Sequence, residues 1–142
     1  MRATRLLLWL YLLNAAVLIT HEIDSAYWHE WELFGIPGGI QVFLFINLLL
    51  VMVILYGHQA LATNRASGFV LSWMLVAGGL FAFIIHSYFL LQGGEAFKAP
   101  ASLALLAATL VLSLLQAAVL LRAQHAARIG ITMPNPSPDQ II

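Results

Sequence analysis

IQVFLFINLLLVMVILYG, the stretch from Ile40 to Gly57, carries no charged residue from end to end. A bilayer core about 30 Å thick needs about 20 predominantly apolar residues in a spanning helix. This stretch reads as such a helix, and the rest of the chain repeats the pattern. Leu6 to Thr20 is a first apolar block, Phe69 to Leu91 a third and Ala101 to Leu121 a fourth. Between them lie the breakers Gly35-Ile36-Pro37-Gly38-Gly39, Asn64-Arg65-Ala66-Ser67-Gly68 and Gly93-Gly94, and Pro100 opens the last block at a favoured first-turn position.

Composition agrees. Of the 142 residues, 62% are hydrophobic and 8% charged. A soluble domain is typically about 25% charged, so this chain cannot dress a water-facing surface. The expectation is an all-α integral membrane four-helix bundle, a single domain over residues 1–132, with helix one extended into an outward-facing acidic and aromatic segment. The Pro-rich tail 133–142 reads as disordered. The basic residues Arg2 and Arg5 before an apolar run imitate a signal peptide, but no convincing small-residue cleavage site precedes His21, so the first helix is read as retained.

The formal charge is zero, and no basic stripe with interleaved aromatics exists, so nucleic acid is not an expected partner. The absence of cysteine excludes disulfides, thiolate metal sites and a cysteine nucleophile. With four spans, Arg2, Arg5, Arg65, Arg122 and Arg128 fall on one side and only Lys98 on the other. The positive-inside rule then puts both termini in the cytoplasm. The expected partners are the lipid bilayer and, on a docking reading, other membrane subunits or further copies of the chain.

Chemistry concentrates in one place. Residues His21 to Glu32 read HEIDSAYWHEWE and hold four of the six acidic residues and two of the five histidines. If helix one runs on through them, His21, Asp24, Ser25, Trp28 and Glu32 share a face at about 100° per residue, with Glu22 and His29 flanking it. Asn14 lies on the same stripe two turns earlier. His86, near the outer end of span three, and Asn47, in span two, sit at similar depth. Polar groups there are costly unless paired or turned inward.

Imidazole with carboxylate suits a divalent transition metal. The candidate ligands are His21, Asp24 and His86. Glu22, Asn14, Asn47, Trp28, His29 and Glu32 would support them, and Glu22 or Glu30 is the candidate base. His21-Glu22 followed by His29 is not the His-Glu-x-x-His of zinc proteases, because the second histidine comes too late. Three alternatives stand beside a metal. His21 and His86 could hold haem b axially. Trp28 and Trp31 could form the docking edge of an accessory subunit. Glu22 or Glu30 could act on a lipid-soluble substrate.

The stretch His21-Glu22-Ile23-Asp24-Ser25-Ala26-Tyr27-Trp28, followed by Glu30-Trp31-Glu32-Leu33-Phe34, resembles the signature of a family of small bacterial membrane proteins of unknown function. The resemblance implies a bacterial origin, a plasma-membrane location and importance for the residues of this motif. It implies no reaction.

Overall fold

The structure, a computed structural model, describes residues 4–132, with the side chains of residues 128 and 130–132 left aside. The tail at 133–142 lies outside the described residues. The described chain forms α1 (Arg5–Tyr27), α2 (Glu30–Leu33), α3 (Gly39–Ala62), α4 (Ala66–Leu91) and α5 (Pro100–Thr132). All but α2 are long and apolar enough to cross a membrane. In hydrocarbon the backbone must satisfy itself, and a helix does so within one segment. The chain is a multi-pass membrane protein.

Helices α1, α5, α4 and α3 follow one another around the bundle, with α2 lying against α1 and α3. Among the described residues α3 and α5 do not touch, whereas α1 and α4 meet across the short diagonal. Between α1 and α3 a groove is left open. Leu7, Tyr11, Ala15, Leu18, Leu75 and Leu120 are buried along the centre. Outward-facing Leu44, Phe45, Met52, Val70 and Ile84 are left to lipid. Lipid tails are as apolar as leucine, so these helices gain little from burial alone. Close approach and hydrogen bonds must hold them.

Two glycines show the close approach. A Cβ on Gly68 would collide with the α3 backbone at Ala60 and Leu61, which seat the first turn of α4. A Cβ on Gly79 would collide with Ser113 Oγ, so the Ser113 side chain of α5 packs directly on the α4 backbone there. The hydrogen bonds lie at the same level. Gln116 Nε2 donates to Ser72 Oγ at 2.8 Å and to the Ser72 carbonyl at 3.2 Å. Asn14 Nδ2 donates to Gln116 Oε1 at 2.9 Å and to Ser113 Oγ at 3.3 Å. Three helices are laced together through Gln116. Thr109, on the same face of α5 as Ser113 and Gln116, instead donates to the Leu106 carbonyl at 2.7 Å.

On α5, Ala104 and Ala107 are exposed, and the buried stripe is Ser102, Leu106, Thr109, Ser113, Gln116 and Leu120. Serine and glutamine take the inner face because they have partners there, and alanine can be left to lipid at no polar cost. Helix α1 does continue past Thr20, but it ends at Tyr27 instead of carrying through to Glu32. His29 adopts a left-handed backbone with φ 53° and redirects the chain into α2.

Candidate functional site at the α2 end of the bundle

Helix α1 buries Leu7, Tyr11, Asn14, Leu18, His21 and Ser25, a stripe spaced at three and four residues. Helix α4 buries Ser72, Gly79 and His86 at heptad spacing. Because α1 and α4 cross the diagonal, the last polar members of the two stripes meet. The His21 and His86 rings lie 4.6 Å apart between centroids, edge to face at 80°. His21 is 1% exposed and His86 2%.

Two strained residues complete the site. A bulky side chain at positive φ is uncommon and costs of order 1–3 kcal/mol, so its surroundings must hold it there. Phe97, between α4 and α5, has φ 65° and is buried. Its ring lies 4.2 Å from that of His86 and 6.0 Å from that of His21, sealing the imidazoles on the loop side. The turn at His29 does the other half of the work by aiming Glu30 inward. Glu30 Oε1 stands 3.6 Å from His86 Nε2, and its side chain is 12% exposed.

The hydrogen-bond inventory around this cluster does not close. His86 Nδ1 lies 2.8 Å from the Ala82 carbonyl, which is an acceptor only, so Nδ1 carries the proton and donates. On a neutral ring that leaves a bare lone pair on Nε2, facing a carboxylate oxygen. The 3.6 Å separation is too long for a hydrogen bond. His21 Nδ1, His86 Nε2 and Glu30 Oε2 are all buried without a partner. A cavity of about 210 Å³ opens beside them, lined by His21, Glu22, Glu30 and His86 with Leu18 and Phe81.

A family model described as a family of unknown function (DUF6713) matches residues 7–123. The chain belongs to this family. No curated protein and no solved structure matches it. The matched stretch of this DUF6713 member contains His21, Glu22, Glu30, His86, Phe97 and Ser102.

Several residues expected at the site lie elsewhere. Asp24 Oδ1 accepts from Ser102 Oγ at 2.9 Å, and that hydroxyl accepts from Trp28 Nε1 at 3.3 Å, so Asp24 and Trp28 tie α1 to α5. Asn14 belongs to the Gln116 network. His29 and Glu32 are exposed and lie 3.9 Å apart on the surface. Asn47 lines a neighbouring groove together with Glu22. Trp28 packs on Phe97 and Trp31 on Phe43, and both are half-buried. The His21 and His86 rings lie edge to face with no gap between them as they stand. Glu30, named beforehand only as a base, proves to be the carboxylate nearest His86. Phe97 and Ser102 were missed altogether. A phenylalanine between two glycines and a lysine gives no sequence signal, and a serine at the start of an apolar span gives little more.

Proposed function

We propose that this protein uses the His21, His86 and Glu30 cluster to hold a divalent transition-metal ion at the outer end of a membrane bundle, with both termini in the cytoplasm. The observation that carries the reading is the pair of facing acceptors, His86 Nε2 and Glu30 Oε1, 3.6 Å apart and buried. Two bare acceptors repel unless something positive lies between them. Ligands at about 2.0–2.2 Å on a tetrahedral ion stand about 3.3–3.5 Å from each other, close to the spacing found. The Ala82 carbonyl orients His86 as backbone carbonyls orient metal-bound imidazoles. His21 Nδ1 is the third donor at hand.

Among the described residues no three histidine or acidic side chains converge closely enough to hold an ion as they stand. A metal therefore requires His21 to turn, or a non-protein ligand. The same observation favours a second reading, in which a proton shared by Glu30 and the imidazoles takes the place of the ion. The outward orientation rests on the five arginines set against Lys98. The bacterial plasma-membrane setting rests on the signature between His21 and Phe34.

Cobalt absorption separates the two readings. The purified full chain titrated with Co²⁺ should develop the visible bands of a low-coordinate ion, and His86→Leu and Glu30→Gln should each abolish them. Absence of bands in the unaltered protein leaves the shared proton as the account of the cluster and removes the metal.

A further inference from the structure

A second cavity, of about 420 Å³, lies in the groove between α1 and α3. Its walls are apolar: Ile19, Ile23, Phe43, Leu44, Leu48 and Val51. Ile23, Leu44 and Leu48 are exposed, so the groove opens toward lipid. Two of its lining residues do not suit lipid. Glu22 lines both this groove and the histidine cavity, and the Asn47 side chain lies beside it. Asn47 Nδ2 donates to the Phe43 carbonyl at 3.1 Å, while Asn47 Oδ1 is buried without a partner.

An acyl tail in this groove would leave Asn47 Oδ1 unsatisfied, and an unpaired polar group in an apolar setting costs about 1–3 kcal/mol. The groove therefore fits a molecule with a long apolar body and a small polar head. The head must donate to Asn47 Oδ1. It also meets the Glu22 carboxyl that lines the groove, which offers an acceptor when ionised and a donor when protonated. A hydroxyl does both, because it donates once and accepts twice. The chain's single lysine, Lys98, does not line the groove and pairs with Glu95 at 2.7 Å.

We infer that the groove between α1 and α3 binds a long-chain alcohol dissolved in the bilayer, its hydroxyl seated on Asn47 and Glu22. The molecule enters sideways from lipid. Glu22 then places its head at the wall of the histidine cavity. The inference does not depend on a metal.

Photolabelling tests it. The full chain is placed in phosphatidylcholine vesicles with hexadecanol carrying a diazirine, or with the matching diazirine hexadecane. Labelling of residues 19–26 and 43–51 is read by mass spectrometry. The alcohol should label these segments about tenfold more than the alkane, which corresponds to one net hydrogen bond of about 1.4 kcal/mol. Asn47→Leu should bring the alcohol down to the alkane level, and Ala26→Phe, which fills the groove, should suppress both probes there. Equal labelling by the two probes, an unaffected Asn47→Leu, or stronger labelling by diazirine hexadecylamine would overturn the assignment. Cobalt bands measured on Asn47→Leu should persist, so the failure of this inference and the failure of the metal reading are separate results.

Discussion

The polar network around Asn14 and the polar cluster at the α2 end are built on opposite terms. At the level of Asn14, every buried side-chain group of the Asn14, Ser72, Ser113 and Gln116 network has a partner. At the α2 end, His21 and His86 are nearly as deeply buried and Glu30 is mostly buried, yet each keeps a polar atom with none. A closed network needs nothing more to explain it, since interhelical hydrogen bonds hold membrane helices together. An open one carries a standing desolvation cost that evolution could remove with leucine. Backbone strain at His29 and Phe97 is spent on the open region. The difference marks the first region as structural glue and the second as a place prepared for something else.

Substitutions should therefore separate stability from binding. The largest expected effect is on metal affinity. His86→Leu should weaken cobalt or zinc binding by about a hundredfold or more, equivalent to about 2.7 kcal/mol, as read by competition with a chelator. The same variant should leave the metal-free protein as stable as before or more so, because an unpaired buried nitrogen is replaced by a group that needs no partner. Next comes Gln116→Leu, which strands Asn14 and Ser72. It should cost about 1–2 kcal/mol in reversible unfolding from detergent micelles, with metal affinity unchanged. Ser102→Ala removes the link between Asp24 and Trp28 and should cost about 0.5–1 kcal/mol in the same assay, again without loss of metal. The smallest effect is expected from Glu32→Gln, on the exposed side of α2, within about 0.5 kcal/mol and with no change in binding. If Glu32→Gln weakened metal as much as His86→Leu, the comparison would break, because the open atoms would not be the ones in use.

Much of the fold was legible beforehand because hydrocarbon imposes a length and a composition on each span, and Ile40 to Gly57 can satisfy both only as a helix. The meeting of His21 with His86 was legible too, from a three-and-four spacing on one helix and a heptad on the other. What could not be read was the route of the chain after Tyr27. The helical period runs on through Glu32 with no glycine or proline before Gly35, so nothing in the local sequence announces the left-handed turn at His29. That turn exchanges Glu32 for Glu30 at the site. Asp24 was misplaced for a related reason: its partner, Ser102, is distant in sequence and becomes adjacent only once α5 packs on α1.

Thermal unfolding with and without zinc, in the unaltered protein, His86→Leu and Gln116→Leu, tests the contrast most directly. An ion that binds only the folded state raises its stability by mass action. The account predicts that zinc raises the melting temperature of the unaltered protein and of Gln116→Leu by the same increment. His86→Leu should melt no lower than the unaltered metal-free protein and should not respond to zinc. A zinc shift that survives His86→Leu, or a metal-free His86→Leu that melts well below the unaltered protein, would show that the outer cluster is structural glue like the core.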